Sequence, residues 1–322
     1  MTTWRGILRE LERGANRNAR QAESEEKQRA LAAVFEEGSN TLNQYQHLLT
    51  SAVSLHKDCC SYINWEFLSK VDPPNEISKE NYFEKIAIEK KNNFKPSPIK
   101  KIFGLKEKEI LKLDEEINLA RERDEETYKS LLEKHNEDFQ NWEREKNLAI
   151  QVLNSNEKAF EQVLNDRFSL KSNPFIGKSI TFHFDDEKNL TSDLYIHPID
   201  EIIPSFDLKQ LKSGVLSKKE MSLSKRLDFY KEYVCSAVIR LARETFAILP
   251  FTEVVINAKC DQLNKKTGYM KETIFLSVFI PKSTLDKINL QFVVPSIALE
   301  NFKHNLEFKR LTGFNEVPQV SR

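Results

Sequence analysis

The chain has 322 residues, 49 basic and 49 acidic, so its formal charge is zero. A dedicated polyanion binder usually carries a basic excess, so that class is disfavoured. Eight glycines exclude collagen-like and Gly-rich linker classes and argue against a glycine-built phosphate cradle.

Residues 2–37 read as a helix, with Trp4, Ile7, Leu8 and Leu11 at helical spacing. The stripe fades over the polar residues 16–29 and returns at Leu31, Val34 and Phe35. Gly38-Ser39-Asn40 reads as a C-cap followed by a fresh N-cap, so a second helix is expected from there to Val53. Trp65, Phe67 and Leu68 mark a short helix stopped by Pro73-Pro74, since neither proline has an N–H to donate. A further helix is expected over 78–92, opened by Ser78, before the stiff Pro96-Ser97-Pro98 break.

From Leu105 to Leu153 there is neither proline nor glycine, and apolar residues recur mostly at steps of three, four or seven. That pattern predicts one helix of about 70 Å with a narrow buried seam. Such a seam is expected to need a partner helix, as in a coiled coil, with Asp124, His135 and Lys146 as polar faults along it. A last helix is expected over 157–169.

Composition changes near Ser172-Asn173-Pro174. Beyond it, Ile180–Phe184 and Leu194–Ile196 read as a hairpin, and Phe206–Met221 as short strands parted by Gly214. Ser224 to Leu249 is the clearest helix of this half, closed by Pro250. Glu253–Cys260 and Met270–Ile280 read as strands, Phe292–Val294 as a brief strand, and 297–309 as a final helix. The predicted fold is therefore mixed: an elongated all-α, coiled-coil half over residues 1–170, then a compact α+β domain with antiparallel strands over 171–322.

Several groups carry candidate chemistry. Gly177-Lys178-Ser179 resembles the end of a phosphate loop, but Ser172 stands where the loop needs its first glycine, and the segment opens a strand. His56, Cys59 and Cys60 fall at i, i+3 and i+4, near one helix face, as zinc ligands would; only three ligands are local, so a helix end with two partly buried cysteines is the plainer reading. His183, Asp185 and Asp186 lie close in sequence, and a hairpin brings His183 toward Asp193 and His197; an acidic turn accounts for the same aspartates. Lys209, Lys212, Lys218, Lys219, Lys225, Arg226 and Lys231 form a basic segment over 209–231, with Lys265 and Lys266 as an extension, a candidate surface for a polyanion; an ordinary solvated lysine-rich face accounts for the same residues and is the plainer reading.

Asp261 ends one long strand and Glu272 lies on the next. The order helix, two strands, helix, strand is similar to the core of restriction-like nucleases. That resemblance implies that Asp261 and Glu272 hold a divalent ion against a phosphodiester. The family places a lysine two residues after the glutamate, whereas Ile274 stands there and Lys271 precedes it.

Four cysteines, two of them adjacent, do not form a disulfide framework; the opening residues interleave acids and bases, and no apolar run reaches 18 residues. A cytoplasmic protein without a membrane segment is expected. The leading reading is a non-catalytic scaffold subunit of a larger assembly. It needs no cofactor and binds a protein partner or itself through the coiled coil. The alternatives are a nucleic-acid-processing subunit with a reduced metal site, and a nucleic-acid-binding head that uses the basic segment.

Overall fold

The computed structural model describes residues 4–95, 105–168, 173, 175–185, 189–263 and 267–322. The Pro96–Pro98 break, Ser172, Asp186 and the Lys265-Lys266 turn lie outside them. Packing divides the chain into two compact units, Met1–Ile63 with Phe160–Arg322, and Asn64–Ala159. This grouping differs from the compositional boundary near residue 170.

In the first unit, α1 runs unbroken over Trp4–Val53. Gly38 does not stop it, contrary to the cap expected there. A heptad-like row, Leu31, Phe35, Gly38, Leu42, Tyr45, Leu49 and Ala52, steps four and three along the helix. From Gly38 onward it packs on the unit: Leu49 and Ala52 are buried in the core.

The second unit holds α2 (Trp65–Lys70), α3 (Tyr82–Asn92) and α4, the 49-residue helix Leu105–Leu153. The partner helix expected for the α4 seam is met in part within the unit. Two short helices from the preceding chain pack along part of that seam, and a coiled coil is not shown among the described residues. Trp142 donates from Nε1 to the Val71 carbonyl at 3.0 Å, just past α2. Asp124, expected as a seam fault, accepts from the backbone N–H groups of Phe83 (3.0 Å) and Glu84 (2.8 Å) and so caps α3. Those N–H groups lack partners inside the helix, and a carboxylate there also meets the positive end of its dipole. Lys79–Glu125, Arg121–Glu84, Lys90–Glu116 and Lys91–Asp114 pairs line both sides of this contact. α3 begins at Tyr82, four residues after the Ser78 start expected.

After α5 (Glu157–Arg167), the first unit continues with β1 (Ser179–Phe184), β2 (Leu190–Tyr195), the hairpin β3 (Phe206–Gln210) and β4 (Leu216–Glu220), and α6 (Leu223–Ile248). Then come β5 (Glu253–Leu263), β6 (Met270–Pro281) and β7 (Lys303–Leu306). The sheet order is β1-β2-β5-β6-β7. It is mixed rather than antiparallel: β2 and β5 run parallel, because the chain between them crosses over through α6. Of residues 297–309, expected as a helix, only those up to Asn301 are helical, in a short α-helix that passes into a 3-10 turn; β7 then runs beside β6, and Phe292–Val294 is not a strand. α6 is buried without a break from Tyr233 to Ala242, a helix covered on all sides rather than on one apolar face. Among the described residues no helix is long and apolar enough to cross a membrane.

Candidate functional site

One face of the sheet packs into the core through Leu190, Leu194, Val254, Ile256 and Ala258. Side chains alternate along a strand, so the residues between point to the opposite face. There the register aligns Thr181, Asp193, Asn257, Ser277 and Asn305 across all five strands. Three of these are buried and wired together. Asn257 donates from Nδ2 to Asp193 Oδ1 at 2.8 Å and accepts from Ser277 Oγ at 2.6 Å. The segment 317–322 lies against this row. Val320 N donates to Ser277 Oγ (2.9 Å), Gln319 Oε1 accepts from Asn257 Nδ2 (3.1 Å), and Pro318 O accepts from Asn305 Nδ2 (2.9 Å).

One step along the strands the row opens to solvent. Lys259 Nζ stands 2.6 Å from Asp193 Oδ2 and 3.0 Å from Glu272 Oε1. Tyr195 is hydrogen-bonded to Glu272, and His183 Nε2 is 3.4 Å from Asp193 Oδ2. Burial works against charge on Lys259, but the Asp193 and Glu272 carboxylates outweigh it and raise its pKa. Hydrogen bonds from Lys259 and Tyr195 hold Glu272 below the usual carboxylate range. The hairpin thus brings His183 to Asp193, as the sequence predicts. It does not gather the other two. His197 Nδ1 lies 3.0 Å from Glu201 Oε2, and Asp185 accepts from Asn189 to close the turn.

Asp261 faces Glu272 directly across β5 and β6, and both are exposed. Lys259 on the neighbouring strand, rather than a residue two after Glu272, places an ammonium beside that carboxylate. A register shift between Ala258 and Lys259, which leaves Phe275 as the extra residue on β6, sets this alignment. The second acid on Lys259 is Asp193, which the spacing of Asp261 and Glu272 does not reveal. The ammonium lies between the two carboxylates, so their charge is met by the chain itself.

Other candidates have structural partners. Lys178 pairs with Glu201 at 2.9 Å, and Gly177 is required because a Cβ there would lie 2.8 Å from the Tyr195 carbonyl oxygen. Lys225 pairs with Asp207 (2.7 Å), and Arg226 reaches Asp200 and the Ile203 carbonyl. Lys218 stacks over the Phe206 ring at 3.9 Å. Lys209, Lys212 and Lys219 remain as an exposed trio.

His56 is buried, its backbone N–H and Nδ1 both directed to Ser236 Oγ (3.0 and 2.9 Å). Desolvation lowers its pKa, so the ring is neutral. Among the described residues no three His, Cys, Asp or Glu side chains converge as a metal site, so His56, Cys59 and Cys60 do not form one. The two cysteines instead face a cleft of about 460 Å³ beside Arg243. Compared with known proteins, the chain matches no family model, no curated protein and no solved structure.

Proposed function

We propose that this protein is a non-catalytic interaction subunit that assembles, with a second copy or another protein in a cytoplasmic assembly, through the open length of α1. What supports the reading is the row running along that helix. From Gly38 to Ala52 it is occupied by the body of its own unit. Before Gly38 the same row continues with Leu31 57% exposed and Phe35 47% exposed, beside Val34 at 42%. A helix keeps an apolar stripe over several turns when something covers it. Light scattering on the full chain, with copurifying proteins identified, is the test. The expected result is a mass above one chain, reduced by Leu31→Glu with Val34→Glu. A single-chain mass, unchanged in that variant and with no copurifying protein, overturns the proposal.

A second reading rests on Lys259. A divalent ion that took the ammonium's place between Asp193 and Glu272 would be held against a phosphate as in a nucleic-acid-processing site, with Lys259 released toward the same phosphate. Divalent-dependent cleavage of plasmid or RNA, lost in Glu272→Ala and Lys259→Ala, is its expected signature. No cleavage with any divalent ion ends it.

A further inference from the structure

The loop before α2 is clamped on both sides of its cysteine pair. Arg243 donates to the carbonyls of His56 (2.5 Å), Lys57 (2.9 Å) and Asp58 (3.1 Å). Gln291 Nε2 adds a bond to Lys57 O at 3.1 Å, and beyond the pair Ile63 N donates to Ala247 O at 2.8 Å. Both thiols therefore stand at fixed positions on the wall of the cleft, partly exposed. Arg243, Lys282, Asp286, Asn289 and Gln291 line the same cleft. Lys282 pairs with Asp286 at 3.1 Å, which leaves the Arg243 guanidinium as excess positive charge there. The volume lies within the range of small-molecule sites.

We propose that this cleft is a thiol-exchange site, in which Cys59 takes up a low-molecular-weight disulfide that carries carboxylates. The Cys59 thiolate attacks one sulfur of the bound R–S–S–R. A Cys59–S–S–R bond forms and the original S–S bond breaks. The departing RS⁻ carries the electron pair and takes a proton from water, so no oxidant other than the disulfide is consumed. The neighbouring Cys59 and burial raise the Cys60 thiol, which stays protonated. Consecutive Cα atoms are about 3.8 Å apart, shorter than the ~4.4 Å lower end for disulfides, so Cys60 does not close a ring and the adduct persists.

The Cys60 hydrogen bond, opposed by burial and helped by Arg243, brings the Cys59 thiol from 9.0 down to about 7. At neutral pH that raises the thiolate fraction more than the accompanying loss of intrinsic nucleophilicity lowers reactivity, so the exchange is faster than for an ordinary thiol. The test is intact-mass and peptide-mapping kinetics on the full chain with oxidised glutathione, native and in urea. One glutathionyl adduct at Cys59 is expected, forming faster in the native protein than in urea. The native rate should reach half its plateau near the lowered value and the unfolded rate near the ordinary one. Cys60→Ala should keep the adduct but move the native midpoint upward, and Cys59→Ser should lose it, with Cys235 and Cys260 unlabelled in their buried sites. Lys282→Ala should slow glutathione disulfide more than uncharged hydroxyethyl disulfide. Equal labelling of Cys59 and Cys60, or a native rate no faster than the unfolded one, overturns the site. Equal response of both disulfides to Lys282→Ala overturns the carboxylate preference.

Discussion

Gly38 and Gly214 meet where α1 crosses the β3–β4 hairpin. A Cβ on Gly38 would stand 2.3 Å from the Gly214 carbonyl oxygen, and one on Gly214 would stand 2.9 Å from the Phe35 Cα. Gln210 fastens the crossing, donating to the Phe35 carbonyl at 2.7 Å and accepting from Ser39 Oγ at 3.0 Å. Gly38→Ala therefore sets two effects against each other. Alanine favours the helix by about 1 kcal/mol. The forced separation of two backbones costs about 1–3 kcal/mol. A net loss of up to about 2 kcal/mol is expected in urea denaturation, toward the upper end because the Gly38–Gly214 contact is between backbones. Gly214→Ala should cost at least as much, since its φ of +85° is unfavourable to any Cβ. The double variant should lose less than the sum, because both changes open the same crossing.

That crossing also explains one misreading of the sequence. Gly-Ser-Asn is the local signature of a helix end. Here the glycine answers a contact with a residue 176 positions later, and no local pattern carries that information. The long helix α4, the Gly214 hairpin, α6 and the two long strands were legible, because each is a sustained period bounded by a turn or a proline. The segment 297–309 was not. Ile297, Phe302 and Leu306 fit a loose helical spacing, and pairing with β6 decides for a strand over 303–306. The acid–base cluster was half legible. Glu272 was marked and Asp193 weighed beside His183, but Lys259 joins them only through strand order and the shift at Phe275.

Asp124 provides a sharp test of the helical unit. Its two oxygens each take one N–H at the start of α3. Asp124→Ala should remove both bonds and cost about 1–2 kcal/mol, the upper range for a helix cap. The loss should be local. Hydrogen exchange by mass spectrometry should speed in 82–92, while peptides from β5 and β6 keep wild-type protection. Uniform protection loss in both units would contradict the division at residue 64.

Lys259 links stability to pH on both sides. Glu272 titrates below its ordinary 4.5 in the folded protein, so its contribution is complete above that value and is lost as pH falls through the lower folded one. Lys259 titrates above its ordinary 10.5, so its contribution is complete below that value and is lost as pH rises through the higher folded one. Lys259→Met should destabilise across the interval between. Asp193 is 11% exposed at its side chain and would lose its cation. The cost should be roughly 2–3 kcal/mol, less than the ~3–5 kcal/mol of a wholly buried pair. The variant should also show a shallower acid limb in a series of urea midpoints from about pH 3 to pH 9, because Glu272 no longer has a charge to protect. An unchanged acid limb would assign that limb to other carboxylates.

Ser277 controls the far side of the same polar row. Its hydroxyl donates to Asn257 Oδ1 and accepts from the Val320 backbone N–H. Ser277→Ala leaves a buried amide oxygen and a backbone N–H without this partner, at about 1–3 kcal/mol. The backbone group belongs to the segment 317–322, held besides by Gln319 on Asn257 and by Arg322 on the Leu190 carbonyl. Exchange in that segment should therefore rise more than exchange in β5, whose ladder to β6 is untouched. Asn257→Leu tests the network from its centre. It removes the bonds to Asp193, Ser277 and Gln319 together, and should cost more than Ser277→Ala even though it adds apolar surface. If Asn257→Leu instead stabilises the protein, the row is held for a reason other than folding, and Asp193 and Lys259 become the first residues to examine for a ligand.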